Sequence, residues 1–198
     1  MSEVITTRHA SVERQTNETS VKVDLDLDAP AGGKVATGHG FIDHMLEQLI
    51  RHGRFNLTVE GKGDLHVDVH HLAEDSGITL GQAFAEALGD KRGIERYADA
   101  WVSMEETLAH VVIDISGRPY IAFDPTGYEG DCQGFNAHHL REMLRGFTNH
   151  LGINLHVRVL SGVETHHVCE AVVKAFARAL WQATRITSDA LPSTKGLL

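Results

Sequence analysis

The sequence predicts an α/β (α+β) protein of two similar fused half-repeats related by a pseudo-two-fold, and three observations carry that expectation. Strand-period and helix-period stretches alternate along the chain, which is the pattern of mixed layers. The motif His-His-x-x-Glu occurs twice, at His70 to Glu74 and at His166 to Glu170, each opening a helical stretch and separated by about half the chain. The helices that follow also share AFAEAL (83–88) and AFARAL (175–180), although these match one helical turn out of step. Ligand geometry tolerates no slip whereas alanine-rich helices look alike, so the His-His-x-x-Glu pair defines the repeat register.

The elements follow in order. Residues 20–28 alternate, with Val21, Val23, Leu25 and Leu27 on one face and charges on the other, a half-buried strand. Residues 29–40 carry Pro30, Gly32, Gly33 and Gly38 and predict a loop or hairpin. From Phe41 the period changes: Ile42, Met45, Leu46, Leu49 and Ile50 recur at helical spacing, and Gly53 supplies a stop. Residues 57–60 and 65–69 alternate across Gly61-Lys62-Gly63-Asp64, a hairpin signature. A helix from about His70 to Leu88 should end at Gly89, and strands are expected at 101–107, 109–115 and, before Pro125, at 120–124. A helix over 140–147, a strand over 153–160 and a long helix over 166–184 complete the second half. The expected organisation is a single catalytic domain over 1–198, with half-repeats of about 1–92 and 93–187 and a polar tail, 188–198, that takes its order from packing or a ligand.

Bulk composition excludes several classes. With 42% hydrophobic and 23% charged residues among 198, the chain is neither disordered nor fibrous and is long enough for a sizeable core. A net charge of -9 argues against a broad nucleic-acid surface. Cys132 and Cys169 are too few for a disulfide framework or a thiolate metal site, so a reducing cytoplasm is expected. Residues 1–15 contain no apolar signal core and no run is long enough to span a bilayer, so neither secretion nor membrane insertion is supported.

The compositional excess is histidine, with 14 residues and pairs at His70-His71, His138-His139 and His166-His167. Imidazole is the commonest metal ligand and titrates near neutrality, so metal or acid-base chemistry is indicated. On a helix, residues four apart share a face whereas neighbours diverge by about 100°. His70 and Glu74 can therefore hold one ion while His71 points elsewhere, and His166, Glu170 and His167 repeat the arrangement. If the two helix starts face each other, one site is His70, Glu74 and His167 and the other His166, Glu170 and His71. The preceding helix offers His44 in the first half and Glu142, His138 or His139 in the second. Nitrogen and carboxylate donors without thiolate suit six-coordinate Mn2+, with Fe, Co or Zn possible by ligand type. A single His-His-x-x-Glu on a charged helix is ordinary; two at equivalent repeat positions are not. Isolated His9, His39, His110 and His150 read as satisfied polar groups, and His66 and His156 as structural.

The motifs DHM at Asp43, HHLAED at His70, GIERYADA at Gly93, SGRPY at Ser116, ETHHVCEA at Glu164 and STKG at Ser193 closely resemble imidazoleglycerol-phosphate dehydratase, in order and over essentially the whole chain. The resemblance implies helices packed between two mostly antiparallel sheets, a cytoplasmic homo-oligomer of 24 subunits, and two Mn2+ ions per active site at subunit interfaces. It implies a hydro-lyase of histidine biosynthesis that converts D-erythro-imidazole glycerol phosphate to imidazole acetol phosphate and water. Carried over position by position, it makes His44, His70, His71, Glu74, His166, His167 and Glu170 metal ligands. Family members often have a histidine where this chain has Glu142, so the eighth ligand is Glu142 or, one turn earlier, His138 or His139. The resemblance also makes Glu18 the catalytic acid/base, with Glu13 the nearby alternative, and assigns substrate contacts to Glu18, Gln48, His52, Arg96, Arg118, Lys174, Ser193 and Lys195. Arg suits bidentate phosphate binding; Lys174 has a competing role as the i,i+4 partner of Glu170.

The chemistry accounts for two metals. The proton to be lost is not beside a carbonyl, so a carbanion route is poor. An imidazole ring held between two ions favours imidazolate, whose electrons can expel the hydroxyl to give a diazafulvene-like intermediate. Loss of the neighbouring proton then yields an enol that tautomerises to the ketone. A dinuclear metal-dependent phosphatase or hydrolase would use similar residues but release phosphate, and a metal-storage module would show no turnover.

Overall fold

The computed structural model describes residues 8–124 and 130–198. The first sheet comprises β1 (His9–Gln15), β2 (Thr19–Asp26), β3 (Val35–Ala36) and β4 (Asn56–Gly63) in the order β1-β2-β4-β3. The second comprises β5 (Tyr97–Met104), β6 (Thr107–Asp114), β7 (Tyr120–Asp124) and β8 (Asn154–Ser161) in the equivalent order β5-β6-β8-β7. Within each sheet the pairs are antiparallel except the last, β3 with β4 and β7 with β8, which are parallel. The helices are α1 (Gly40–His52), α2 (His70–Leu88), α3 (Ala137–Leu151) and α4 (Thr165–Thr184). Each half thus runs strand, strand, short edge strand, helix, strand, helix, as the duplicated α/β class requires.

The helices form the middle layer. α2 lies on β1 and β2 and against α3, whereas α4 lies on β5 and β6 and against α1. The alternation in β2 sends Val21, Val23 and Leu25 inward with no exposure, and Ala109, Val111 and Ile113 do the same from β6. The two helix pairs meet differently. A Cβ on Gly77 would stand 1.9 Å from the Met143 carbonyl oxygen, and one on Gly146 2.9 Å from that of Glu74, so α2 and α3 touch backbone to backbone. α1 and α4 have no glycine at their contact and meet through side chains, among them His44 with Glu170 and Phe41 with His166.

Five expectations change. The hairpin across Gly61 to Asp64 does not form: β4 continues to Gly63, which pairs with Thr19, and after part-buried Asp64 residues 65–68 are exposed. Its glycines serve close approach instead of reversal, since a Cβ on Gly61 would meet Thr37 at 3.1 Å and one on Gly63 Leu72 at 3.0 Å. The loop over 29–40 contains the edge strand β3, held by parallel pairing to β4. β1 was not anticipated, because only Ala10 and Val12 carry its apolar alternation and the aliphatic stem of Arg14 continues that face. α3 extends further than 140–147 at both ends, capped by the Asn136 side chain, which accepts from the His138 and His139 N–H groups. The strands around Glu105 and Glu106 begin earlier than expected, and Pro125 lies outside the described residues.

Candidate metal centre

Helical spacing and the α1/α4 contact together build a three-donor cluster. His166 and Glu170 lie one turn apart on α4, and His166 Nε2 is 2.9 Å from Glu170 Oε2. From α1, His44 Nε2 reaches the same carboxylate oxygen at 3.2 Å. One donor atom from each of these three residues lies within 4.8 Å of the others. Phe41, one turn before His44, sets its ring edge-on to His166 at 5.1 Å between centroids and closes one side.

The cluster continues as two facing ladders. Along α1, Gln48 is buried and donates to the His44 carbonyl at 2.8 Å, and His52 follows one turn on. Along α4, Lys174 Nζ lies 2.6 Å from Glu170 Oε1, and Arg178 follows. Burial pushes the Glu170 carboxyl up, but hydrogen bonds from Lys174 and His44 outweigh it and bring the pKa down to about 2. Burial and the nearby charges of Lys174 and Arg178 hold His52 below the usual imidazole range, so neutral His52 is favoured beside two cations. The result is an ionised carboxylate with imidazoles at one end and the cations Lys174 and Arg178 further along α4.

The equivalent region between α2 and α3 is tighter. His70 Nε2 stands 4.0 Å from Glu74 Oε2. Arg145 Nη2 binds Glu74 Oε1 at 3.2 Å and also the buried carboxylate of Glu142, which Arg141 holds from the other side at 3.1 Å. Glu74 and Glu142 therefore converge on a single cationic nitrogen. The His70 ring stacks on exposed His138 at 5.9 Å and meets His139 at 6.1 Å. His139 Nδ1 accepts from the Asn136 backbone N–H at 3.2 Å, which places any single ring proton on Nε2.

His71 and His167 are not brought into these clusters within one chain. His71 Nδ1 lies 3.1 Å from Asp64 Oδ2, with Glu18 Oε2 at 3.8 Å. His167 Nδ1 lies 2.9 Å from Glu106 Oε2. The hydrogen bond to Asp64 raises the His71 pKa, and that to Glu106 raises the His167 pKa while lowering the Glu106 carboxyl. Asp64 and Glu106 were not singled out from the sequence, and no spacing marks them: one precedes its histidine by seven residues and the other by 61.

Glu18 sits exposed in the β1–β2 turn beside His71. The turn is pinned to α2, because buried Asp75 accepts from Arg14 Nε at 2.8 Å and from the Thr19 hydroxyl. Glu13 is exposed within β1.

Arg96, Arg118, Ser193 and Lys195, the other residues expected to contact substrate, lie elsewhere. Arg96 Nε donates to Asp114 Oδ1 at 2.8 Å and its Nη1 to the Pro192 carbonyl at 2.6 Å, tying the tail to the sheet. Arg118 Nη1 donates to the Ser116 carbonyl at 3.2 Å, and Ser193 Oγ accepts the Lys195 N–H at 3.2 Å. The C-terminal Leu198 lies against Gly117, next to Arg118. These residues adjoin the Asp114 end of β6, whereas His167 and Glu106 adjoin its Thr107 end, a strand length of roughly 25 Å away. One chain therefore holds the expected phosphate contacts and the expected ligand His167 at opposite ends of a sheet.

Comparison with known proteins gives a concordant result. A family model described as imidazoleglycerol-phosphate dehydratase matches residues 37–180. The chain is 60% identical to the Deinococcus radiodurans protein of that name, over 96% of this chain and 99% of that one. It is 58% identical to a Thermus thermophilus protein so named, over 96% and 100%. A crystal structure of IGPD from Pyrococcus furiosus superposes with a TM-score of 0.83 at 34% identity, covering 94% of this chain and all of that one. A structure of the Staphylococcus aureus imidazoleglycerol-phosphate dehydratase gives 0.79 at 34% identity, over 90% and 99%.

Proposed function

The chain belongs to the imidazoleglycerol-phosphate dehydratase family of hydro-lyases, and from that premise we propose how its residues dehydrate D-erythro-imidazole glycerol phosphate. The observation that carries the proposal is the convergence of His44, His166 and Glu170, a nitrogen and carboxylate donor set that fits a divalent ion such as Mn2+. His70 and Glu74, with Glu142, form the related set between α2 and α3. His71 and His167 complete the two sets from neighbouring subunits, because within the chain they face away from both. When bound, the ions supply Lewis acidity and an orienting template for the imidazole ring.

The chain's own groups do the rest. Glu18, exposed on a turn anchored through Asp75, moves protons at the hydroxyl and at the neighbouring carbon. Expulsion of the hydroxyl gives the diazafulvene-like intermediate, and proton loss then gives the enol of imidazole acetol phosphate. Gln48 and His52 line the groove beside His44, and Lys174 contributes charge from α4. Arg96, Arg118, Ser193 and Lys195 hold the phosphate, reaching the ions of another subunit. The separation of these groups within one chain supports a homo-oligomer as the active form, and the family resemblance implies 24 subunits. The tail 188–198 then folds over substrate from a surface it already lines. Among the described residues no helix is long and apolar enough to cross a membrane, in keeping with a cytoplasmic location.

The decisive experiment adds imidazole glycerol phosphate to Mn2+-loaded protein. Imidazole acetol phosphate with its ester intact is expected; free phosphate would favour the hydrolase alternative, and no product would overturn the proposal. Glu18→Gln should reduce turnover by about 100-fold or more with metal content unchanged, and wild-type turnover would remove Glu18 from the chemistry. For the eighth ligand, the shared contact of Glu74 and Glu142 with Arg145 favours the carboxylate. Glu142→Ala should lose one ion per chain while His139→Ala keeps both; the reverse metal counts would transfer the role to His139.

A further inference from the structure

The two histidines that leave the metal clusters each make the same unusual contact. His71 Nδ1 lies 3.1 and 3.2 Å from the two oxygens of Asp64, and His167 Nδ1 lies 2.9 Å from Glu106 Oε2. A carboxylate only accepts hydrogen bonds, so each holds the ring proton on Nδ1 and leaves the Nε2 lone pair free. The acids are fixed in turn. Asp64 is part-buried at the end of β4, and Glu106 Oε1 accepts the backbone N–H groups of Val163 at 3.2 Å and Glu164 at 3.1 Å, at the start of α4. Both rings are thus pinned in one tautomer and one orientation, although their carboxylates come from different elements.

The repeat explains the difference in origin. Glu18 and Glu106 occupy the same place in the two halves, each immediately before a buried threonine, Thr19 or Thr107, that opens the second strand of its sheet. Glu106 grips the histidine of its half. Glu18 stands 3.8 Å from His71, because Asp64 already takes that Nδ1. The duplicated turn glutamates have divided labour: one is left for proton chemistry and the other orients a ring.

We propose that Asp64 and Glu106 are positioning residues that fix the Nδ1–H tautomer of His71 and His167, so that each presents Nε2 to a divalent ion held with a neighbouring subunit. The assignment rests on the metal roles given above for the two histidines. Partners of this kind typically contribute about 10–100-fold to metal affinity.

The test is Mn2+ titration of the assembled, metal-stripped full-length protein, with free Mn2+ read by electron paramagnetic resonance. Glu106→Gln is the informative variant. Its carbonyl can keep the Val163 and Glu164 bonds while its amide N–H faces Nδ1, favouring the tautomer with the proton on Nε2. Expected is a loss of about 10–100-fold in affinity for one ion per chain with the apo thermal midpoint unchanged, and the same for Asp64→Asn. Affinity within twofold of wild type would overturn the proposal, as would metal loss only in Glu106→Ala with Gln fully restoring it, the mark of a merely structural role. Glu105→Gln should leave affinity unchanged; an equal loss there would mean that Glu105 and Glu106 ligate an ion themselves. His167→Ala separates the two levels. If it loses one ion while Glu106→Gln loses none, the positioning role fails and the metal role stands; if it keeps both ions, the metal role itself fails.

Discussion

Replacing Glu170 with Gln should empty the α1/α4 site and take turnover to background, a loss of at least about 100-fold in metal affinity. The size of the effect follows from how many groups this one carboxylate serves. Its Oε2 faces His44 and His166 at 3.2 and 2.9 Å, and its Oε1 faces Lys174 at 2.6 Å. An amide offers one acceptor where the carboxylate offers two and brings a donor towards either an imidazole or an ammonium group. The metal-free protein should lose about 1–3 kcal/mol as well, the usual cost of removing a hydrogen-bond partner from a charged group in a part-buried place. Metal content by elemental analysis and the product assay check both parts. A variant that retains two ions per chain and wild-type turnover would remove Glu170 from the centre.

Gly77→Ala should be strongly destabilising for a single methyl group. A Cβ there would lie 1.9 Å from the Met143 carbonyl oxygen and 2.9 Å from its Cα, both backbone atoms that no rotamer change can move. α2 and α3 would have to separate. Their contact also positions His70 and Glu74 against Glu142, so the expected outcome is a stability loss of about 3 kcal/mol or more together with loss of the α2/α3 ion. Gly32→Ala is the control, because its Cβ would meet the Asn56 side chain at 3.5 Å and the Pro30 carbonyl oxygen at 3.8 Å, both ordinary contacts. It should change stability by no more than about 0.5 kcal/mol. Equal unfolding midpoints for the two variants would show that the helices do not meet this closely.

Much of this was legible without coordinates. α2 begins at His70 and ends at Leu88, as the periodicity and Gly89 require, because amphipathic spacing and a terminal glycine are local signals. Glu170 and His166 were paired by helical arithmetic alone, but His44 was offered to the first half, and only the α1/α4 packing sets it against His166 and Glu170 of the second. The misread hairpin shows the limit. Glycines at 61 and 63 carry a turn signature, yet both lie in β4, where their missing side chains make room for Thr37 and Leu72, residues the local sequence does not bring to mind. The edge strand β3 likewise exists only because β4 lies alongside it.

The division has a physical basis. Period, caps and donor chemistry act over a few residues, so the sequence by itself determined the duplicated α/β class, the two His-His-x-x-Glu helix starts, the nitrogen and oxygen character of the donor set and the dehydratase resemblance. Which donors share an ion depends on packing between elements far apart in the chain. The tertiary structure placed His44 with His166 and Glu170, turned His71 and His167 towards Asp64 and Glu106, set Arg145 between Glu74 and Glu142, and tied Arg96 to the 188–198 tail at the far end of a strand. Apart from the helical pairs His166 with Glu170 and Glu142 with Arg145, these pairings have no sequence period, because each is set by how closely elements distant in the chain approach.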